Sequence, residues 1–396
     1  MKLLLVIDYV WDYRIPLYYR LSQQFNGFSL LITGISSQTK VMKIPSIKYQ
    51  FIRNKLKLAL ALLTRDYDIV IWGDAGSSSF ASNLMNGLLC YLISRMRRKP
   101  FIVWFGGWEF TQDDLWGASV KDKIKKTGAR ALIPFILRRA NAIITYGSLH
   151  KKIYVSLNIN PDKIFIAPNS SIIPYDHHEV EEKMLLIKEK LNLNDKKVIL
   201  YVGRLEKRKN VDILIKAFAQ LKRDDVCLLI IGDGKSRPYL EGLCEQLKVR
   251  NVYFLGRIER GNLPPYYWLC DVFVYPTSRE PWGLAINEAM QFGKPVIATP
   301  RVAAAHDLIR QGVNGFIVLE KDVQALAKAI SKIISDEGLA KRMGQKSREI
   351  AQQGYTYEHM TEGFRQAIKY CYKKRALIIK AKKRYRLLDL CAWPFE

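Results

Sequence analysis

Short runs of β-branched, leucine-rich and aromatic residues recur along the chain, separated by stretches in which apolar positions return every three or four residues. Such alternation is the sequence sign of parallel sheets covered by helices. In the first half, strands are expected at 2–8, 29–33, 69–72, 101–105 and 142–146. In the second they are expected at 197–202, 227–231, 252–255, 272–275 and 295–298, with 315–318 closing the set. Apolar helices are expected at 54–65 and 88–99, a charged helix at 179–191, and another helix from about Asn210. The pattern predicts an α/β chain of two doubly wound units in tandem, 1–170 and 171–365. Their boundary is set at Pro168-Asn-Ser-Ser-Ile-Ile-Pro174, where two prolines and polar residues end the last strand of the first unit. Ligands of such sheets bind at the carboxyl ends of the strands, so two facing units are expected to leave a cleft.

Length agrees with this division, since 396 residues exceed what one core usually organises. The six cysteines are scattered without a CxxC pair, and read as reduced core thiols of a cytosolic protein. The first residues, Met1 to Asp8, carry one lysine and a short apolar run that stops at an aspartate, which reads as a buried strand rather than a signal peptide. No apolar stretch reaches the ~18 residues of a spanning helix. A soluble or peripheral protein is expected.

Charge changes the picture. The net charge is +26, and it is unevenly spread: residues 1–170 hold 24 Lys/Arg against 10 Asp/Glu, residues 171–368 hold 30 against 25, and residues 369–396 hold 9 against 2. This asymmetry points to an anionic partner: nucleic acid, an acidic membrane surface or a phosphorylated substrate.

Several phosphate motifs are excluded by spacing. Gly232-Asp-Gly-Lys-Ser236 contains the GKS of a P-loop, but the glycine required five positions before Gly234 is Leu229, and the same stretch read as GxGxxG fails at Arg237. The first strand leads into Asp8-Tyr-Val-Trp-Asp12, without the glycines of a dinucleotide fold. Asp66-Tyr-Asp68 is a lone DxD string ahead of a strand, and reads as a structural turn.

The informative constellation lies in the second half. In Val202-Gly-Arg-Leu-Glu-Lys-Arg-Lys209-Asn a strand ends in glycine, and Arg204 and Lys209 follow around a tight turn, placed to converge on one diphosphate. In the run from Tyr275 to Ala298, Glu280 lies in a loop, Gly283 starts a helix and Glu288 lies about a turn and a half inside it. Free N–H groups around Gly283 and Leu284 form an anion site, and the two carboxylates flank it to accept hydroxyl groups on either side of a diphosphate.

These motifs resemble the family 4 retaining glycosyltransferases. The family's Glu-x7-Glu signature is matched by Glu280-Pro-Trp-Gly and Glu288-Ala-Met, followed by Gly293-Lys-Pro-Val-Ile. The likeness extends to Val202-Gly-Arg-Leu, Ile231-Gly-Asp-Gly, Phe254-Leu-Gly-Arg and Asp271-Val-Phe-Val-Tyr-Pro. It covers about residues 165–335. The resemblance implies a GT-B fold of two facing Rossmann-like domains, with a C-terminal helix, 366–396, crossing back onto the first. It implies that Arg204 and Lys209 bind the donor diphosphate, Glu288 the ribose and Glu280 the donor sugar. Gly283 and Leu284 would offer backbone N–H groups, and Arg257 and Ile258 would lie against the base. Two fixed cations and a helix end offset the diphosphate charge, so neither a metal nor another cofactor is expected.

The first half departs from the family pattern. Gly106 stands where many relatives have a histidine, so Glu109 is the candidate on the acceptor side and Arg14 the candidate for a donor or acceptor phosphate. His150 reads as a surface residue. The expected partners are a nucleotide-sugar donor, a glycan or lipid-linked acceptor of cell-surface polysaccharide or glycolipid synthesis, and the cytoplasmic face of an anionic membrane. Helices 54–65 and 88–99 and the basic tail carry that last expectation. Two other classes stay open: a nucleotide-sugar 2-epimerase of the same architecture, and a basic nucleic-acid-binding protein. For the latter no helix-turn-helix, zinc-finger spacing or RNP-like strand is found.

Overall fold

The computed structural model describes residues 1–34, 47–52, 54–73, 80–106 and 132–390, the side chains of 80–82 and 375–390 excepted. The chain divides into two compact units, one formed by residues 1–146, 150–168 and 357–396, the other by residues 147–149 and 169–356.

Unit 1 runs β1 (Leu3–Ile7), α1 (Ile15–Gln24), β2 (Ser29–Ile32), β3 (Lys48–Phe51), α2 (Lys55–Thr64), β4 (Ile69–Gly73), α3 (Phe80–Met96) and β5 (Phe101–Trp104). A helix at 132–139, here α4, precedes β6 (Ala142–Thr145), α5 (Ser148–Ser156) and β7 (Ile164–Ile166). The strands form one parallel sheet in the order β3-β2-β1-β4-β5-β6-β7. Every residue of β1, β4, β5 and β6 is buried. Such strands carry helices on both faces and therefore read as unbroken apolar runs. Leu58 and Leu62 of α2, Leu84 and Ile93 of α3, and Ile133 and Ile136 of α4 join one core on one face of this sheet.

Unit 2 begins with α6 (His177–Lys190), whose N-cap Asp176 accepts from the N–H of Glu179. It continues through β8 (Lys197–Val202), α7 (Val211–Leu221), β9 (Val226–Ile231), α8 (Arg237–Gln246), β10 (Val252–Gly256), α9 (Pro264–Leu269), β11 (Val272–Tyr275) and α10 (Leu284–Gln291). After β12 (Val296–Ala298), α11 (Ala305–Leu308) and β13 (Gly315–Ile317) come α12 (Val323–Ile334) and α13 (Glu337–Gly354). The parallel order is β10-β9-β8-β11-β12-β13. The chain then returns to unit 1 as α14 (Tyr357–Leu390), which packs on α1, β6 and β7. Phe364 of α14 meets the buried Trp104 ring edge-on at 4.9 Å.

Strand order reverses between β1 and β4 in unit 1 and between β8 and β11 in unit 2. Loops leaving the carboxyl ends of two such strands diverge to opposite faces, and the crevice between them is where open α/β sheets take ligands. Two strands were absent from the expected set. β3 is an edge strand with all four residues exposed, and β7 is three residues long.

Candidate active site

At the reversal point of unit 2 the loop after β8 is stitched to the loop after β11. Asn210, in the left-handed region at φ 51°, donates from Nδ2 to the carbonyl of Pro276 at 3.0 Å. Thr277 Oγ1 and Ser278 Oγ both donate to the carbonyl of Arg208 at 2.9 Å. These bonds turn Lys209 inward, where only 4% of the residue is exposed.

Lys209 Nζ donates to the Tyr275 hydroxyl at 2.9 Å and pairs with Glu280. The Tyr275 hydroxyl in turn donates to Glu280 Oε2 at 3.2 Å. Burial, and then the Glu280 carboxylate beside it, hold the Tyr275 phenol well above its ordinary pKa, so it stays a donor. Burial also lowers the Lys209 pKa below the ordinary lysine value, opposed by Glu280. The network widens through Arg208, whose Nη1 lies 3.6 Å from Glu280 Oε2 and whose Nε lies 3.0 Å from Glu206 Oε2. Arg204, 71% exposed at its side chain, pairs with Glu206 Oε1 at 2.9 Å. The two cations expected to converge thus differ: Lys209 is buried on Glu280, while Arg204 reaches into solvent from the same loop.

Glu288 is the fifth residue of α10 and is 6% exposed. Its Oε1 accepts from Ser171 Oγ at 2.6 Å and from Arg260 Nε at 3.1 Å, and its Oε2 from the Tyr267 hydroxyl at 3.0 Å. Burial and then Glu288 push the Tyr267 phenol well above its ordinary pKa, again fixing a donor. Sequence reasoning missed Tyr267, Tyr275, Arg260, Ser171 and Glu206. The one available signal was that Tyr275 ends its strand immediately ahead of the Glu280 loop.

Gly283 caps α10 at φ 102°, a conformation that a side chain rarely adopts, and a Cβ there would lie 2.9 Å from Val302 Cγ1. The first-turn N–H groups of Leu284 and its neighbours therefore start next to Glu280. Beside this point a groove of about 800 Å³ opens at the carboxyl ends of β8, β9 and β10, lined by residues 202–204, 231–234 and 257–258. Arg204, Arg257 and Ile258 all lie on it.

In unit 1, Arg14 follows β1 and is 3% exposed. Its Nη2 donates to the Tyr146 hydroxyl at 2.5 Å, and its guanidinium carbon sits 4.4 Å from the Trp104 ring centroid. Its Nε and Nη1 have no hydrogen-bond partner among the described residues. Gly106 explains the missing histidine sterically: a Cβ there would fall 1.8 Å from Tyr146 Cε2, so the Tyr146 ring fills the place of any side chain. Glu109 lies outside the described residues. His150, expected at the surface, is fully buried in α5, with its ring edge-on to Tyr146 at 5.9 Å. Its helix packs inward directly after the buried strand β6, which overrides a polar residue's preference for water. Asp66 and Asp68 sit at the amino end of the sheet. Asp68 accepts from the backbone N–H of Lys2 at 2.9 Å and Asp66 pairs with Lys2 Nζ at 2.5 Å.

Residues 184–350 match the family model of glycosyl transferases group 1. An uncharacterised glycosyltransferase of Methanocaldococcus jannaschii is 32% identical over 54% of this chain and 56% of its own length. A capsular polysaccharide biosynthesis glycosyltransferase, CapM, of Staphylococcus aureus is 31% identical over 54% of this chain and 57% of its own. The matched region thus spans little more than half the length of these curated relatives. Among solved structures, Anabaena Alr3699/HepE in complex with UDP superposes with a TM-score of 0.75 at 19% identity, covering 93% of this chain and all of that one. The chain therefore has the GT-B fold, and residues 184–350 of its second unit are similar in sequence to the glycosyl transferases group 1.

Proposed function

We propose that the chain is a retaining glycosyltransferase that moves a hexosyl group from a nucleoside diphosphate sugar, held by unit 2, to a glycan or lipid-linked acceptor. The observation that carries this reading is the pairing at the reversal point of the second sheet. A buried cation, Lys209, and two carboxylates, Glu280 and Glu288, bracket the N-terminus of α10 beside a groove of nucleoside size.

Each residue has a chemical part. Lys209 and Arg204 supply charge to the diphosphate, and the N–H groups at Gly283 and Leu284 supply hydrogen bonds, so charge developing on the leaving nucleotide is met without a metal. Every hydrogen bond and ion pair described for the Glu280 side chain falls on Oε2, which leaves Oε1 to accept from the sugar hydroxyls. Glu288 Oε1 already accepts two bonds and Oε2 one, so Oε2 retains a lone pair for the ribose. The backbone at Arg257 and Ile258 lies against the base. Arg14 is assigned to a phosphate of donor or acceptor, with Glu109 on the acceptor side. The relative named for capsular polysaccharide biosynthesis supports cell-surface glycan assembly as the setting.

Thermal melts with UDP, GDP and their sugars test the donor assignment, since a ligand at ~100 times its Kd adds about 2.7 kcal/mol of stability. Stabilisation by a nucleoside diphosphate, and sugar transfer that persists in excess EDTA, are expected. Transfer lost in EDTA and restored by magnesium or manganese overturns the metal-independent part. Consumption of the donor without any acceptor favours an epimerase.

A further inference from the structure

One face of unit 1 carries exposed apolar groups among basic residues. α2, α3 and α4 turn one side into the core described above, and their other sides carry large apolar groups into solvent. On α2, Leu56, Leu60 and Leu63 are 79%, 60% and 43% exposed. They fall at i, i+4 and i+7, a single stripe opposite the buried Leu58 and Leu62. On α3, Leu92 and Met96 are 47% and 73% exposed, and Phe135 of α4 is edge-on to Tyr91 of α3 at 6.0 Å. α2 packs beside α3, so the stripes turned away from the shared core face the same way.

The charge carried by these three helices and the residues flanking them has one sign. Residues 54–65, 80–106 and 132–141 contain nine Lys/Arg and no Asp or Glu. Lys57, Arg95, Arg98, Arg138 and Arg139 are exposed, and none is in an ion pair among the described residues. Arg139 lies over the Phe135 ring at 3.9 Å, so cation and apolar group occupy the same place. The contrast is α6 of unit 2, where Leu185 and Leu186 are also exposed, but four glutamates, Glu179, Glu181, Glu182 and Glu189, accompany them.

We propose that the outer face of α2, α3 and α4 docks on an anionic lipid leaflet, its leucines in the acyl boundary and its cations at the phosphate level. A leaflet presents both chemistries at once: apolar depth for aliphatic side chains and a plane of negative charge above it. Nucleic acid complements the cations but offers protruding leucines nothing to bury in. The attachment is to a surface, because among the described residues no helix is long and apolar enough to cross a membrane. The proposal rests on this face alone and stands independently of the donor assignment.

The full chain, floated with phosphatidylcholine vesicles with and without phosphatidylglycerol, tests it. Binding should need the anionic lipid and decline with salt. Lys57→Glu/Arg95→Glu/Arg98→Glu should weaken it by two orders of magnitude or more, at roughly five-fold per cation lost. Leu56→Ser/Leu60→Ser/Leu63→Ser should weaken it as strongly while leaving every charge in place, and Leu185→Ser/Leu186→Ser should leave it unchanged. Unaltered melting temperatures and circular dichroism show that the variants are folded. The proposal fails if the chain ignores phosphatidylglycerol, or if the leucine variant binds like the parent, which would leave the attraction to charge elsewhere. It also fails if the leucine variant only dissolves a dimer seen by light scattering, or if RNA competes for the face and the leucines prove irrelevant to that competition.

Discussion

Replacing Lys209 by methionine separates the pairing its ammonium makes in the fold from the donor binding proposed for it. In the folded protein it neutralises Glu280, whose side chain is 18% exposed. Removing one partner of a buried pair costs about 3–5 kcal/mol. Glu280 keeps some water and still has Arg208 at 3.6 Å, so the expected loss is nearer to about 2 kcal/mol, a fall of about 4–8 °C in the melting temperature of a unit this size. In donor binding the loss is a charge-assisted contact to diphosphate, about 1.5–3 kcal/mol, or ~10–150-fold in affinity. The double variant Lys209→Met/Glu280→Gln removes the stranded carboxylate, so stability should return to within about 1 kcal/mol of the parent while donor affinity stays low. Calorimetric titration with UDP or GDP, whichever stabilises the parent, alongside thermal melts of the parent, Lys209→Met, Glu280→Gln and the double variant, completes the cycle. If Lys209→Met keeps the parent's nucleotide affinity, or if the double variant recovers affinity together with stability, Lys209 is a structural cation and the diphosphate lies elsewhere.

Three further outcomes are expected. Because burial lowers the Lys209 pKa below the usual 10.5, and a diphosphate selects its ammonium form, nucleotide affinity should be flat at lower pH. It should then fall up to tenfold per unit on the alkaline side, beginning below 10.5; titration calorimetry across that range checks it. Gly283→Ala, forced to hold φ 102° with its Cβ 2.9 Å from Val302, should lose about 1–3 kcal/mol in thermal melts and weaken donor binding by displacing the start of α10. Glu288→Gln should abolish transfer with a smaller stability loss than Glu288→Ala, since the amide still accepts from Ser171 or Tyr267 while Arg260 loses its counter-charge, which single-turnover assays and melts distinguish.

Much of the fold was legible because buried parallel strands announce themselves. The expected run at 197–202 is the strand Lys197–Val202, and the run at 272–275 is Val272–Tyr275. β3 was not legible, since Lys48-Tyr-Gln-Phe51 pairs by its backbone at a sheet edge and buries none of its side chains. At the site, charged residues and their spacing could be read, but not their burial. Lys209 and Arg204 look alike in the sequence. Only the bonds from Asn210, Thr277 and Ser278 turn one inward, and those partners lie about seventy residues apart. The burial of His150 and Arg14 escaped for the same reason, because what covers a polar side chain is set by distant segments. Gly106 was noticed as an absence, but its cause, the Tyr146 ring, lies forty residues on.

The resident partners of the two carboxylates bear on how such a site selects its donor. Lys209 is held by Glu280, with the lysine buried and the carboxylate side chain 18% exposed. A lone sugar that sought Glu280 would have to compete with a buried ammonium and would offer no charge to that ammonium in return. Under the proposed function, a diphosphate would bring its own negative charge to Lys209 and Arg204 and so weaken the hold on Glu280 as the sugar arrived at it. Such an exchange would keep each buried charge partnered throughout, the condition under which burying them is tolerable. On this reasoning the nucleotide end of the donor enables recognition of the sugar end. The tyrosines that stay protonated at Glu280 and Glu288 then act as fixed donors that hold each carboxylate in place while its other partners change.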